Sequence, residues 1–478
     1  MKETALIVGL TLLCAGVASA QYRATWRLRH CDLDYELVPS EQVYRGAATL
    51  VLENVSGRGQ RSVPLALYRL QDVDGVEDAR GSAVRFEAAV VKAPDWLGFQ
   101  ALSVEVELGR PVEPGETVSV RVRHRGPMLG YQELKRYTKD AIGEDFSLLR
   151  QDTLAYPQLG PVTDQDLSGN LQAQLAAGWT FRLAVTVPRP LVVAASGRLA
   201  RRTEVDAKRW RYEFESTLPT WRIDAAAADY RVVERPERDL RVFVFPQDVG
   251  AANAALDVMA RSIEALTRWF GPAPGAGYTL IEVPEGYGSQ AGAGYFVQTA
   301  DALRSQEQMR DVAHEIAHSW NVPSREGSVS RFLDEAFATY FQALVDDVLI
   351  GPGARQRRLE QYRQRYLRQI DAHPQWGTVA IADYGRNDLT DLSYTKGPWV
   401  LAVIDEVVGH DTFLKIVRAF LDRYRDSGAS LVELKAVAEA TSGRRLDALW
   451  AEWIEHGEAS TELLRQHPEP GGIAARYR

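Results

Sequence analysis

Hydrophobic and polar residues alternate through most of the first half of the chain. The clearest runs are Leu102, Val104, Val106 and Leu108, then Val118, Val120 and Val122, then Trp179, Phe181, Leu183, Val185 and Val187. A period of two is typical of strands that bury one face. The turn at Pro114-Gly115 predicts that the first two runs form an antiparallel hairpin. Residues 21–237 are therefore predicted to form a β-rich domain, either a sandwich or a saddle-shaped antiparallel sheet.

The period changes after a charged stretch around residues 234–239. A strand is predicted from Leu240 to Phe245, and apolar residues three or four apart between Ala255 and Phe270 then predict a helix that ends at Gly271-Pro272. Another strand is predicted from Tyr278 to Val283, and mostly helix from Gln306 onward. Residues 238–478 are thus expected to be mixed α and β and then all helical, which makes the chain an α+β multidomain protein.

A metal-binding motif lies in the helical part. The segment Val312-Ala313-His314-Glu315-Ile316-Ala317-His318 contains HExxH. On a helix, residues four apart lie on the same face, so His314 and His318 can reach one ion while Glu315 projects beside it. Only 8 of the 478 residues are histidine, so a chance match in a helical context is rare. The spacing predicts a zinc site.

A catalytic zinc site needs a third protein ligand and an open position for water. Glu335 follows at the start of another helical run, in Phe332-Leu333-Asp334-Glu335-Ala336-Phe337-Ala338. With His314 and His318 it would bind one zinc ion per chain. Glu315 would then act as general base and take a proton from the attacking water. Asp334 or Asp311 would orient a zinc-binding imidazole, or would be an ordinary exposed aspartate.

Composition narrows the classes of partner. The chain has 45% hydrophobic and 25% charged residues, as globular proteins do. Its net charge of −8 is spread along the chain, which argues against nucleic acid or an anionic membrane surface as the main partner. The oligomeric state and the side-chain preference stay open.

The N-terminus has the pattern of a secretory signal peptide. An apolar run from Ala5 to Val17 precedes Ala18-Ser19-Ala20, so residues 1–20 are expected to be cleaved and the mature protein to be secreted or periplasmic. The run is short for a bilayer, and no stable membrane insertion is expected. Cleavage would leave Cys31 as the only cysteine, without an intramolecular disulfide.

These motifs together resemble the gluzincin aminopeptidase family, the aminopeptidase N and leukotriene hydrolase type. Its zinc helix is followed by a segment of the kind W-L-N-E-G-F-A, which residues 332–338 resemble, and by Y-x-K-G, which Tyr394-Thr395-Lys396-Gly397 matches. The resemblance implies an N-terminal saddle domain, a thermolysin-like catalytic domain, a peptide substrate and an oxyanion stabilised by Tyr394. It ends near Gly457, so the large C-terminal helical domain of many members is expected to be missing.

One departure from the family concerns the end of the substrate. The family has G-x-M-E-N before the zinc helix, and the glutamate of that motif holds the free α-amine. Here the corresponding residues are 288–296, with Gly292 near the place of the glutamate, and no acid lies between Glu285 and Asp301. Glu282 or Glu285 could supply a replacement anchor, or both could be strand-end or loop residues facing solvent.

Three functions therefore stay open. The first is an aminopeptidase-like zinc peptidase. The second is an endopeptidase, or a hydrolase of modified peptides, that uses the same zinc site. The third is a zinc-containing binding module without activity. Whether Arg325 or Arg331 meets a substrate carboxylate also stays open. The interval from His318 to Glu335 is two residues shorter than is usual in the family, and the loop between them is expected to absorb the difference.

Overall fold

The computed structural model of the chain describes residues 24–216, 218–273, 277–305, 307–325, 331–384 and 389–478. The predicted signal peptide, residues 1–20, lies outside them. The strands in chain order are β1 (Trp26–Val38), β2 (Val43–Asn54), β3 (Gln60–Tyr68), β4 (Asp72–Asp78), β5 (Ala83–Val84), β6 (Phe86–Lys92), β7 (Gln100–Val112), β8 (Thr117–Pro127), β9 (Phe146–Arg150), β10 (Gln158–Leu159), β11 (Thr180–Pro188), β12 (Val192–Ala195), β13 (Arg198–Asp206), β14 (Arg209–Glu215), β15 (Asp224–Ala228), β16 (Arg231–Arg235), β17 (Leu240–Val244), β18 (Tyr278–Val283), β19 (Gln290–Gly292) and β20 (Tyr295–Thr299).

The helices are α1 (Asp164–Ala177), α2 (Val249–Phe270), α3 (Ala300–Arg304), α4 (Val312–Ala317), α5 (Phe337–Leu349), α6 (Ala354–Ala372), α7 (Gly397–Val408), α8 (His410–Tyr424), α9 (Leu431–Ser442), α10 (Asp447–Trp450), α11 (Glu458–Gln466) and α12 (Pro470–Ala474). The predicted helix that stops at Gly271 is α2, and the predicted strand from Tyr278 to Val283 is β18. The α+β class predicted from the two periods is confirmed.

The first half is built from three sheets. One has the order β13-β14-β11-β1-β2-β8-β4-β5, a second the order β10-β3-β7-β6, and a third the order β12-β15-β9. The pairing is antiparallel throughout except between β1 and β11, which run parallel. One apolar core contains side chains from the first two sheets, including Leu33 and Leu50 from one and Leu65 and Val104 from the other. The alternation in the sequence corresponds to these inward faces.

The predicted hairpin between β7 and β8 is wrong. β7 pairs with β3 and β6, whereas β8 pairs with β2 and β4, so the chain changes sheets at the turn after Val112. Asn54 holds this crossing, because its side-chain nitrogen donates to the carbonyl oxygen of Val112 at 2.7 Å and its backbone oxygen accepts from Gly115 at 2.8 Å. A period of two shows that one face of a strand is buried. It does not show whether two such strands pair in one sheet or face each other from two packed sheets.

The second half begins with a mixed sheet of the order β16-β17-β18-β20-β19. Strands β17, β18 and β20 are parallel, and α2 connects β17 to β18 and packs on the sheet. Because β16 pairs with β17, the strand just before the predicted boundary at residue 237 belongs to this second sheet. The boundary itself stays a prediction. Helices α4 to α12 follow and share one core with α2.

The described residues include neither a membrane-spanning helix nor a disulfide. No helix among them is both long enough and apolar enough to span a bilayer. Cys31 is buried in the core of the first half and has a free thiol, whose pKa is raised by burial and by the neighbouring Asp32 carboxylate.

A buried histidine makes the stability of the first half depend on pH. His124, on β8, lies between the hydroxyl of Tyr35 at 3.0 Å from Nε2 and the side-chain oxygen of Gln71 at 2.9 Å from Nδ1. Burial lowers the pKa of His124 from 6.5 to about 3. Because the folded pKa lies below the unfolded one, the unfolded chain takes up the proton first. Stability is therefore present above pH 6.5 and is lost as the pH falls towards 3.

We predict that His124→Gln makes the free energy of unfolding less dependent on pH. Between pH 6 and pH 4 the wild type should lose up to about 1.4 kcal/mol per pH unit more than the variant does. The measurement is urea denaturation at a series of pH values, with His456→Gln as control because His456 is exposed. Equal slopes for the wild type and His124→Gln would contradict this assignment.

Candidate metal centre

Helix α4 and the 3₁₀ turn His318–Trp320 that continues it bring the two histidines of the motif to one side. The apolar residues Val312, Ala313, Ile316 and Ala317 of α4 are buried against α2 and α5. His314 and His318 therefore project from the opposite face, with ring centroids 4.8 Å apart and planes nearly perpendicular. The spacing of four residues predicted this arrangement. Both imidazoles are largely buried.

Glu335 comes from the neighbouring segment Phe332–Ala336, a single π-helical turn before α5. Such wider turns are frequent at functional sites. The Oε2 atom of Glu335 lies 3.2 Å from Nε2 of His314 and 3.6 Å from Nε2 of His318. One ligand atom from each residue lies within 4.8 Å of the other two. The shorter spacing in the sequence has thus not separated Glu335 from the histidines.

The second nitrogen of each imidazole is also contacted. Nδ1 of His318 lies 2.9 Å from a carboxylate oxygen of Asp334 and 3.0 Å from the amide nitrogen of Asn321. Nδ1 of His314 lies 3.5 Å from the hydroxyl of Thr339, which itself donates to the backbone oxygen of Glu335 at 2.6 Å. These contacts orient both Nε2 atoms towards Glu335. Two imidazole nitrogens and one carboxylate with such partners form a donor set that fits zinc.

Of the two aspartates considered for orienting an imidazole, Asp334 contacts one. Asp311 instead accepts a hydrogen bond from the amide of Gln342 at 2.7 Å and lies 3.7 Å from the guanidinium group of Arg358. Its carboxylate is half exposed, at 51%.

Arg331 supplies the positive charge beside the acidic ligand. Its guanidinium group contacts Glu335 and donates to Asp334 at 2.7 Å. Burial and the Asp334 carboxylate oppose ionisation of Glu335, but His314, His318 and Arg331 outweigh them and lower the pKa of Glu335. Burial likewise opposes a charged His318, yet Asp334 and Glu335 raise the pKa of His318 to about 9. Arg331 is thus part of the metal centre.

Glu315 and Tyr394 face the same cavity as the three ligands. Burial raises the pKa of the Glu315 carboxyl, as is typical of a general base. The ring of Tyr394 lies 5.9 Å from the ring of His314, centroid to centroid. Burial and the nearby Glu335 raise the pKa of Tyr394 far above its usual range, so its hydroxyl remains a hydrogen-bond donor.

The end of the Y-x-K-G motif explains how Tyr394 is placed near the metal ligands. Gly397, at the start of α7, lies against the π-helical segment that carries Glu335. A Cβ atom on Gly397 would lie 2.4 Å from the Cβ of Ala336. The two elements can approach this closely only because residue 397 has no side chain. Lys396 is fully buried and donates to the backbone oxygen of Gly457 at 3.2 Å, and burial lowers its pKa to about 7.

The cavity has a volume of about 920 Å³ and lies between the two halves of the chain. His314, His318 and Glu335, the candidate metal ligands, line it from the helical half. Residues of the β-rich half, among them Gln151, Asp152 and Arg222, line it together with Gln290 of β19. No motif or period in the sequence marks these residues.

Neither glutamate considered as an amine anchor lines the cavity. Glu282 is buried in β18, where its carboxylate accepts from the backbone nitrogen of Phe245 at 2.6 Å, and burial raises its pKa to about 8. Glu285 is exposed and pairs with Arg304 at 2.9 Å. Arg325, considered for a substrate carboxylate, contacts Glu433 instead.

The site lies in a part of the chain that is similar to known peptidases. The description "Peptidase family M1 domain" matches residues 296–453, which include the ligands, Glu315 and Tyr394. The chain carries a peptidase family M1 domain. Aminopeptidase M1 of Arabidopsis thaliana is 26% identical to it over 298 residues, which are 58% of this chain and 34% of the relative. Aminopeptidase N of Streptomyces lividans is 29% identical over 168 residues, 33% of this chain and 19% of the relative. The chain thus spans about a third or less of these curated relatives.

Solved structures show that the M1 fold extends beyond this domain. An M1 zinc metallopeptidase from Deinococcus radiodurans has a TM-score of 0.65 with 19% identity, over 94% of this chain and 96% of that one. Yeast LTA4 hydrolase in complex with bestatin has a TM-score of 0.68 with 16% identity, over 91% of this chain and 68% of that one. The β-rich half is therefore part of a fold that these metallopeptidases share.

We predict that Asp334→Asn weakens zinc binding by about 10- to 100-fold, because His318 loses the carboxylate that orients it. Asp311→Asn is the matched control, since Asp311 contacts Gln342 and Arg358 rather than an imidazole. Zinc affinity is measured by competition with a chromogenic chelator at constant pH. Equal affinities in the two variants would show that Asp334 does not support the metal site.

Proposed function

We propose that the chain is a zinc-dependent peptidase of the aminopeptidase type. The observation that carries the proposal is the convergence of His314, His318 and Glu335 within 4.8 Å in a cavity that Glu315 and Tyr394 also line. A metal site alone would fit a structural role. A partly buried carboxyl and a partly buried phenol beside it would supply the base and the oxyanion donor that hydrolysis of a peptide needs.

The three ligand residues would hold one zinc ion per chain. Zinc bound there would lower the pKa of a water molecule and polarise the carbonyl of the substrate. Glu315 takes the proton of the attacking water and delivers it to the leaving amine. Tyr394 donates a hydrogen bond to the carbonyl oxygen as negative charge develops on it.

A peptide substrate is supported by the structural neighbours. A variant of the Deinococcus radiodurans metallopeptidase was solved with a Tyr-Ser-Ala substrate, and yeast LTA4 hydrolase was solved with bestatin. A second candidate is a hydrolase that accepts blocked or internal peptide bonds. It is favoured by the absence of any acid in residues 288–296 and by the positions of Glu282 and Glu285 away from the cavity.

We also propose that the mature protein is secreted or periplasmic. The apolar run from Ala5 to Val17 and the following Ala18-Ser19-Ala20 support this location.

We expect Glu315→Gln to retain zinc while its kcat falls by about 100- to 10,000-fold, because the amide cannot accept the proton of the water. The measurement combines zinc content with hydrolysis of two fluorogenic peptides, one with a free α-amine and one acetylated. Cleavage of the free peptide alone by the wild type would support the aminopeptidase, and cleavage of both would support the second candidate. If the wild type binds zinc but cleaves neither peptide, both proposals fail.

Tyr394→Phe is expected to lower kcat by about 100- to 1,000-fold, because it removes only the donor to the developing oxyanion. KM and zinc affinity should stay close to those of the wild type. Steady-state kinetics with the better of the two peptides separates these effects. Tyr384→Phe is a matched control, since Tyr384 is fully buried and does not line the cavity. A similar loss in both variants would mean that Tyr394 acts through packing.

A further inference from the structure

The end of β19 offers no space to a substrate. Gly292 is the last residue of this strand, and a Cβ atom on it would lie 2.1 Å from the ring of Tyr295. The hydroxyl of Tyr295 donates to the buried carboxylate of Asp224 at 2.8 Å, which holds the ring in this position. The room that a peptide needs beyond the metal ligands lies elsewhere in the cavity.

The wall that belongs to the β-rich half contains a group of apolar side chains. They come from the loop between β6 and β7, from the segment that leads into β10 and from helix α1. We call this set the apolar pocket. Its members are Trp96, Phe99, Leu154, Leu159, Leu167 and Leu171. The metal ligands line the same cavity from the helical half.

Two hydrogen bonds fasten the loop between β6 and β7 to α1. The carboxylate of Asp95 accepts from the backbone nitrogen of Asp164 at 2.7 Å and from that of Gln165 at 3.1 Å. These are the first two residues of α1, whose backbone N–H groups lack partners within the helix. Trp96, the residue after Asp95, is thereby held beside the first turn of α1, which includes Leu167.

Another pair of hydrogen bonds joins α1 to β10. The amide nitrogen of Asn170 donates to the backbone oxygen of Leu159 at 3.1 Å and to that of Gly160 at 3.2 Å. Leu167 and Leu171 are four residues apart and lie on the same helix face as Asn170. This face of α1 therefore covers β10 and presents both leucines to the cavity.

Trp96 forms a flat apolar surface in the pocket. Its ring stacks on the ring of Phe99, with centroids 4.4 Å apart and planes 12° apart. Trp96 is only partly buried, so its ring is accessible from the cavity that it lines. Leu97, the next residue, is 97% exposed and does not line the cavity. The loop thus directs Trp96 into the cavity and Leu97 away from it.

A polar acceptor lies further along the same face of α1. Gln174 follows Asn170 by four residues, so the two side chains lie one above the other on the cavity wall. The Oε1 atom of Gln174 is buried and accepts no hydrogen bond from the part of the chain that the structure describes. A buried carbonyl oxygen without a donor is costly. The backbone N–H group of a bound peptide would supply that donor.

Polar contacts connect the apolar pocket to the metal centre. Asp152, two residues before Leu154, accepts from Arg222 at 2.7 Å, and Arg222 also donates to Gln290 of β19 at 2.6 Å. Strand β19 contacts α4, which carries His314. The apolar pocket and the metal ligands therefore share one cavity, with charged and amide side chains between them.

We propose that the apolar pocket binds a large apolar side chain that follows the scissile bond of a peptide substrate. The proposal rests on the proposed function and specifies its substrate class. An aminopeptidase substrate has one residue before the cleaved bond, so a peptide that extends from the metal centre into this pocket does so with later residues. The cavity volume of about 920 Å³ lies near the upper end for ligand pockets and has room for such a peptide.

The charges around the pocket favour an apolar side chain over an acidic one. Lys135 and Asp164 flank the apolar lining with opposite charges. The ammonium group of Lys135 lies over the ring of Trp96, 4.9 Å from the centroid, where the aromatic face attracts it. A carboxylate in the pocket would therefore meet little net positive charge while losing its hydration.

The test is a binding measurement that does not require turnover. Zinc-loaded Glu315→Gln protein is titrated in a calorimeter with a hexapeptide of one alanine followed by serines. Further peptides carry a single phenylalanine, or a single glutamate, at each of the first four positions in turn. The titrations are repeated after adding Trp96→Ala, Leu167→Ala or Leu97→Ala. Leu97→Ala is the matched control because it removes an exposed leucine of the same loop and leaves the cavity lining unchanged.

We expect phenylalanine at one position after the first to bind about 10- to 100-fold more tightly than serine there, because its ring is removed from water. Trp96→Ala and Leu167→Ala should each reduce this gain by about 5- to 10-fold, and Leu97→Ala should keep it. Unchanged binding of the serine peptide shows that each variant is folded. The proposal is overturned by a gain confined to the first position, by a larger gain with glutamate, by equal binding of all peptides, or by a gain that survives both pocket variants.

The outcome is separate from that of the proposed function. If the wild type binds zinc but cleaves no peptide, the peptidase proposal fails, yet a gain that depends on the position of phenylalanine and on Trp96 would still show the apolar pocket. If the wild type is active and no position after the first gives a gain, the apolar pocket fails and the peptidase remains.

Discussion

The close approach of two adjacent carboxylates to two imidazoles is the constraint on which the helical half of the cavity depends. Asp334 and Glu335 follow each other in one π-helical turn, and both are directed towards the histidines. Two negative charges in this setting would repel each other and lose hydration. Arg331, in the preceding turn, contacts both of them, so the cation that balances the pair lies in the same short segment. The metal site is thereby fixed locally, although its histidines come from another helix.

Neighbouring elements come close to that segment because small residues lie where they meet. Ala336 faces Gly397, which lets α7 come close and places Tyr394 above the metal ligands. The β-rich half contributes an entirely buried ion pair between Arg150 and Asp140, which lies behind the cavity wall rather than on it. Arg150 also contacts the backbone oxygen of Gly288 at 3.4 Å, just before β19. A change in either half can therefore alter the shape of the cavity.

The sequence predicted those parts of the site that a short spacing encodes. HExxH on a helix determines which side chains share a face, the need for a third zinc ligand singled out Glu335, and the resemblance supplied Tyr394. A period of two does not specify which strand is the pairing partner. The predicted hairpin between β7 and β8 was wrong for that reason. Asp152, Arg222 and Gln290 could not be predicted to line the cavity, because contacts between distant parts of the chain bring them together. Glu282 was misjudged because the sequence does not reveal that its strand lies inside a sheet, with its side chain away from the cavity.

The contact between Gly292 and Tyr295 has a consequence for how the sequence can change. A side chain at residue 292 requires a smaller residue at 295, and that change alone would leave the buried Asp224 without its phenol donor. A side chain at residue 292 is thus unfavourable while Tyr295 is present, and the double replacement relieves the overlap but still removes the phenol donor of Asp224. Such mutual dependence makes the effect of one replacement conditional on the other, and the order of changes then matters. The glycine at residue 292 is consequently tied to the tyrosine at residue 295, and neither position can be changed without regard to the other.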